Sequence, residues 1–217
     1  HLIDNALKEY ALHPLIVNYS VVISDKKSDN IPSLTSKDKP VPRSYHRKSQ
    51  LNSRYIFDNF IEGKSNQFAK AAAMSVADTP GQTPYNPLLI YSKPGLGKTH
   101  LLQAIGNKII RQKPNMRVVY LTSEKFMLDF ISSIQKNHST DFINHYRNVD
   151  MLLLDDAQFF QSKEQTQEQF FHLFNDLFRK GKQIVLTTDR HPNELKGLKE
   201  RLVSRFQSGL IVDIQPP

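Results

Sequence analysis

The chain has no cysteine and no tryptophan, and its 217 residues include only 8 glycines. Without cysteine there is no disulfide framework, no thiolate zinc site and no thiol nucleophile. Metals are left to His, Asp and Glu, and the composition suits a reducing compartment such as the cytoplasm. Long apolar runs are missing too: runs such as Met151 to Leu154 fall far short of the ~20 residues that cross a bilayer. No apolar signal segment opens the chain, so no integral membrane segment is expected. Acidic charge is in deficit. The 29 Lys+Arg against 21 Asp+Glu leave a formal charge of +8, which suits a polyanionic partner such as nucleic acid or a phosphate-rich ligand. The histidines lack paired spacing of the H-E-x-x-H kind, and no zinc is assigned. The chain opens on His1 and stops at Pro216-Pro217 straight after a strand-like run, as expected of a fragment.

At roughly 150 residues per domain, the length fits one full domain with remnants of others. Residues 1–24 hold a candidate helix from Leu2 to Tyr10, then extended segments at Leu15-Ile16-Val17 and Val21-Val22-Ile23. So few residues cannot close a core alone. Residues 25–54 carry eight Lys/Arg against three Asp, are rich in Ser, Asn and Pro, and nearly lack aliphatic side chains. Burial cannot offset the ordering entropy of such a stretch, which is expected to be a disordered basic linker.

From Tyr55 onward, short β-rich runs alternate with longer helical segments, the signature of an α/β domain whose parallel sheet is flanked by helices. Strands are predicted at 88–91, 117–121, 151–154, 183–187 and 210–214. Helices are predicted at about 65–77, 98–111, 124–136, 140–147, 164–179 and 198–205. The strand Met151 to Leu154 is apolar throughout, as a central strand would be. Phe159, Phe160, Phe170, Phe171, Phe174 and Phe178 are expected to be core.

The sharpest chemical signal is Gly95-Leu96-Gly97-Lys98-Thr99, between a strand and a helix. Glycines there let backbone N–H groups converge on phosphate oxygens, and the helix N-terminus adds a favourable dipole. The Lys ammonium reaches the terminal phosphates, and the Thr hydroxyl can ligate magnesium. The full G-x-x-x-x-G-K-[ST] pattern would have glycine at 92, where this chain has Ser92; strain is expected there if the turn needs a positive φ. Asp155-Asp156 ends the apolar strand 57 residues beyond Lys98. Asp155 fits a magnesium-holding role and Asp156 the polarising of an attacking water. Thr187-Thr188-Asp189-Arg190 closes the next strand and offers a polar group near the terminal phosphate. Arg201 and Arg205 are four apart, hence on one helical face, and either could serve as an arginine finger toward a neighbouring subunit's nucleotide.

Tyr55 to Phe60, Asn86-Pro87-Leu88, Gly95 to Leu102, Leu153 to Asp156, Gln169 to Asn175, Asp189-Arg190 and Arg201 to Phe206 occur in one order. Together they resemble the DnaA family of bacterial replication initiators over Tyr55 to Pro217. The resemblance implies an AAA+ P-loop core at 55–217, with 1–24 a remnant of an N-terminal interaction domain. It implies ATP phosphates on Gly95, Gly97, Lys98 and Thr99, magnesium at Thr99 and Asp155, and hydrolytic roles for Asp156, Asp189 (first sensor) and Arg205 (trans-acting finger). Phe57 to Asn66 would help form the adenine pocket, and Ile131 and Lys163 would line a channel for single-stranded DNA. Gln165 stands where a basic channel residue can occur. A helical lid and a duplex-reading domain would follow residue 217. The implied whole is a weak ATPase that binds the origin, oligomerises with ATP, promotes unwinding and meets the replicative helicase through its N-terminal domain. A helicase-loader-like ATPase and a non-hydrolysing nucleotide-binding module are the alternatives, Ser92 being the one hint for the latter.

Overall fold

The structure, a computed structural model, describes residues 50–216. The expectations for 1–24, and for the linker up to 49, lie outside the described residues. Five strands, β1 (Leu88–Tyr91), β2 (Val118–Thr122), β3 (Met151–Asp155), β4 (Gln183–Thr188) and β5 (Leu210–Asp213), form one sheet in the order β2-β3-β4-β1-β5. Every pairing is parallel. β3 and β4 are buried at every position, which is why they read as unbroken apolar runs ending in small polar residues. The edge strand β2 is only half-buried.

Six helices cover the sheet: α1 (Gln67–Asp78), α2 (Lys98–Gln112), α3 (Ser123–Gln135), α4 (Ser139–Arg147), α5 (Glu164–Arg179) and α6 (Glu200–Phe206). Side chains alternate across each strand. Leu88 and Ile90 of β1 therefore join Ala69 and Ala73 of α1 and Leu101 and Ile105 of α2 in one core. Leu89 joins Phe126 of α3, Phe170 and Phe174 of α5 and Phe206 of α6 in the other. Phe126 is the hub of that second core, with ring centroids 5.2 Å from Phe142, 5.6 Å from Tyr146, 5.8 Å from Phe160 and 5.4 Å from Phe170. Each such ring contributes about 1.5–3 kcal/mol by burial. The expected phenylalanine core divides: Phe160, Phe170 and Phe174 are interior, whereas Phe159 is 48% exposed and Phe171 and Phe178 are half-buried. Successive residues at 159–160 and 170–171 cannot share one inward direction.

Of residues 51–54, read from composition as the end of the linker, Leu51 is half-buried against the core while Asn52, Ser53 and Arg54 are exposed. Leu51 packs into the α1/α2 layer beside Gly106, where a Cβ would come within 2.8 Å of Leu51 Cδ1. The Asn52 N–H donates to Gln103 Oε1 at 2.7 Å, and Asn107 Nδ2 donates to the carbonyls of Asn52 and Tyr55, each at 2.8 Å. At the opposite end of the strands from the phosphate loop, Asp150 gathers three strand starts. Its Oδ2 accepts the Arg117 N–H at 2.9 Å and its Oδ1 the Lys182 ammonium at 2.7 Å.

Candidate nucleotide site

The loop after β1 turns through two left-handed glycines, Gly95 at φ +83° and Gly97 at φ +96°, and Gly97 caps α2. Gly97 also lies against the Phe60 ring: a Cβ there would meet Phe60 Cε2 at 2.8 Å. Glycine is required at both positions on backbone grounds. It is not required at 92, which corrects the expectation of strain. The non-glycine residues with positive φ among the described residues are Asn137, Asp156 and Ser162. The Ser92 N–H extends the β1–β4 ladder to the Thr188 carbonyl at 3.3 Å, and its hydroxyl donates to the Lys93 carbonyl at 3.0 Å.

Lys98 opens α2 with its ammonium drawn back over the loop, donating to the Ser92 carbonyl at 2.8 Å and the Lys93 carbonyl at 3.2 Å. It is 7% exposed. Burial pulls its pKa below the ordinary lysine value, against the attraction of Asp156, Asp155 and Asp189. Three carboxylates from two strand ends thus bear on one cation. The adjoining segment from Phe57 to Phe60 is held to the same helix, since His100 Nε2 lies 2.8 Å from the Ile56 carbonyl and its ring meets Phe60 edge-on.

Asp155, the last residue of β3, is 2% exposed. Thr187 donates to its Oδ1 at 2.5 Å and Tyr120 to its Oδ2 at 3.0 Å. Burial pushes its pKa up, opposed by hydrogen bonds from Thr187 and Thr99, while the Asp156 charge adds to the rise. The Tyr120 phenol is pushed up as well, first by burial and then by the Asp155 charge. Asp156 follows in a left-handed turn at φ +58°; its N–H donates to Thr187 Oγ1 at 2.8 Å and its Oδ1 accepts from Gln158 at 3.0 Å. Thr187, one of the four residues from which a polar group near the terminal phosphate was expected, bonds to both aspartates. Thr99 and Asp155 bring one hydroxyl and one carboxylate together, hard oxygen donors of the kind magnesium takes when phosphates and water complete its shell. Among the described residues no cluster of three or more His, Cys, Asp or Glu forms a cage for a metal held by protein alone.

Asp189, just past β4, is bonded through both oxygens to Arg190, at 2.7 and 3.1 Å. The expected arginine pair separates. Arg201 is bonded to Glu168 of α5 and lies 4.6 Å from the Phe171 ring centroid, an anchor within its own chain. Arg205 ends α6 half-exposed, with no side-chain hydrogen bond or ion pair among the described residues. Ile131 is 42% exposed on α3, and Lys163 is exposed at the N-cap of α5. Between these helices Phe130, Ile134 and Gln165 line a groove that also carries Lys199. Reasoning from sequence missed Tyr120 and Gln103. The one available signal was a glutamine on the inward face of α2, among Leu101, Leu102 and Ile105.

With β4 interposed between the loop-bearing β1 and the acidic end of β3, the class is that of the AAA+ P-loop nucleotide-binding domains. Residues 51–213 match the family described as the bacterial DnaA ATPase domain, and the chain belongs to that family. It is 54% identical over 196 residues to the chromosomal replication initiator protein DnaA of Latilactobacillus sakei subsp. sakei (strain 23K), covering 88% of this chain and 44% of that protein. The chain therefore spans less than half the length of that relative. Its structure is similar to domain III of the Thermotoga maritima replication initiation protein DnaA, with a TM-score of 0.76 and 48% identity over 78% of this chain and 70% of that one. It is also similar to a replication initiator DnaA bound to AMPPCP and single-stranded DNA, with a TM-score of 0.74 and 43% identity over 78% of this chain and 52% of that one.

Proposed function

We propose that the chain is the ATP-binding core of a cytoplasmic replication initiator. In the intact protein it binds origin DNA, oligomerises with ATP, promotes duplex unwinding and meets the replicative helicase through its N-terminal domain. The observation that carries this reading is the convergence on one loop of the buried Lys98 ammonium, drawn to the loop carbonyls and under the attraction of Asp156, Asp155 and Asp189, with Thr99 next to it on the helix. Backbone N–H groups of the loop around Gly95 and Gly97 cradle the phosphates, and Lys98 sets a fixed charge against the terminal ones. Thr99 and Asp155 hold magnesium, which when bound neutralises charge on the phosphates. Asp156 accepts hydrogen bonds from water in its own site and Asp189 senses the terminal phosphate, so that slow hydrolysis acts as a switch. Arg205, with no side-chain partner among the described residues, serves a neighbour's nucleotide.

Ile131 and Lys163 border the single-stranded DNA path, a reading supported by the relative bound to AMPPCP and single-stranded DNA. The similarity to initiators over most of the chain favours this over a helicase loader. Ser92, unstrained, no longer hints at a non-hydrolysing module. The test is fluorescence anisotropy of labelled ATP with magnesium, then of a labelled single strand with and without ATP. Saturable ATP binding weakened in Lys98→Met, and ATP-dependent strand binding weakened by Lys163→Ala, are the expected results. ATP binding that is indifferent to Lys98→Met removes the nucleotide reading, and strand binding indifferent to both ATP and Lys163→Ala removes the channel.

A further inference from the structure

Two hydroxyl donors end on the Asp155 carboxylate, one on each oxygen. The first arm starts at the Asp156 N–H, which donates to Thr187 Oγ1 at 2.8 Å; the hydroxyl proton is then left for Asp155 Oδ1 at 2.5 Å. The second arm is the Tyr120 hydroxyl, whose single proton goes to Asp155 Oδ2 at 3.0 Å.

A backbone N–H cannot accept, so the Thr187 arm cannot reverse. Each oxygen of Asp155 receives a fixed donor, and rotation of the carboxylate about its last bond is blocked on both sides. The sheet makes the second arm possible. β2 and β3 pair with Tyr120 opposite Leu153 and Thr122 opposite Asp155, so Tyr120 and Asp155 are diagonal neighbours, a separation that a long aromatic side chain can span.

We propose that Tyr120 is a positioning residue that aims the Asp155 carboxylate for magnesium. This rests on the nucleotide-site reading above and adds to it the residues that set the magnesium requirement. Groups that orient a metal's ligands typically change metal affinity about 10- to 100-fold when removed. The Asp155 carboxylate keeps its Thr187 donor in the absence of Tyr120, so the lower end of that range applies.

The test uses the full chain and labelled ATP, titrated with magnesium at a nucleotide concentration that saturates the parent, and again in EDTA. Tyr120→Phe keeps the ring in its packed position and should raise the half-saturating magnesium concentration about tenfold while leaving magnesium-free binding unchanged. In an Asp155→Asn background Tyr120→Phe should have no further effect, because the tyrosine acts only through that carboxylate. Tyr120→Leu, which also removes the hydroxyl donor to Asp155 Oδ2, should shift the requirement in the same direction and stands in if Tyr120→Phe does not fold. An unchanged magnesium requirement in both variants overturns the proposal. So does an equal loss of magnesium-free binding, or a full Tyr120→Phe effect on top of Asp155→Asn. If Asp155→Asn itself leaves the requirement unchanged, the reading of Asp155 as a magnesium residue is lost and the proposal with it. If Asp155→Asn shifts the requirement and Tyr120→Phe does not, only the proposal falls.

Discussion

The Lys98 ammonium donates to the Ser92 carbonyl at 2.8 Å, tying the first residue of the helix back to the residue that leaves the strand. The cation is thus in place before any phosphate arrives. Charge-assisted hydrogen bonds contribute about 1.5–3 kcal/mol each, so Lys98→Met should weaken ATP binding by roughly 10- to 100-fold. The burial that lowers the lysine's pKa works against its own bonds, and the melting temperature should move little. Titration of labelled ATP at concentrations that saturate the parent, beside a thermal melt, checks both parts.

Backbone conformation separates the loop's glycine-like positions. Gly97→Ala puts a Cβ at φ +96° and within 2.8 Å of Phe60 Cε2. It should cost about 1–3 kcal/mol of stability, from left-handed backbone and displaced ring together. Ser92→Gly relieves nothing and removes the hydroxyl bond to the Lys93 carbonyl. Its ATP affinity should equal the parent's or fall by no more than about 1 kcal/mol. A Ser92→Gly protein that binds ATP clearly more tightly would contradict this account of the loop.

Asp150 joins the starts of β2, β3 and β4 through Arg117 and Lys182. Burial raises its pKa, but the Arg117 N–H and the Lys182 ammonium outweigh that, and the net direction is down from 3.8. A carboxylate with a depressed folded pKa contributes stability that is present above the unfolded value and lost as pH falls through the folded one. Asp150→Asn should therefore lower stability at pH 7 by about 1–2 kcal/mol, with the deficit shrinking below pH 3.8. Urea denaturation at neutral and acid pH measures it; a deficit that is the same at both would show that the charge is not responsible.

Arg205 and Asp156 should fail in different ways in the intact protein. Arg205→Ala should bind ATP as a monomer yet not assemble, whereas Asp156→Ala should assemble and not hydrolyse. Mixed, the Asp156→Ala subunits offer their arginines to the intact hydrolytic sites of the Arg205→Ala subunits, and some hydrolysis should return. Phosphate release from the mixture at assembling concentrations decides it. No recovery, or loss of monomer ATP binding in Arg205→Ala, would leave Arg205 a surface residue.

The strands β3 and β4 were legible because both their faces are buried, which leaves an unbroken apolar run, and the phosphate loop because glycines and a Lys-Thr pair fall between a strand and a helix. Leu51 was hidden by its polar neighbours: one leucine that fits beside Gly106 outweighs the composition of the stretch around it. Ser92 misled because a missing glycine says nothing about φ once the turn is made by Gly95 and Gly97. The separation of Arg201 from Arg205 depends on the docking of α6 against Glu168, and the Tyr120–Asp155 contact depends on strand register. Neither register nor docking is written in local spacing.

A sheet in which β1 is threaded between β4 and β5 cannot mature from its N-terminal end. Lys98, Asp155 and Asp189 lie at or just beyond the ends of three strands, β1, β3 and β4, whose pairing brings together distant parts of the chain. Loop closure over such separations makes folding slow relative to helical domains of the same size. A nucleotide that needs all three groups then recognises nothing in the unfolded ensemble. Its binding free energy adds to the stability of the whole sheet, growing with the logarithm of nucleotide concentration above the dissociation constant. For this fold, the cell's nucleotide supply would govern how long the protein lasts as well as what state it is in.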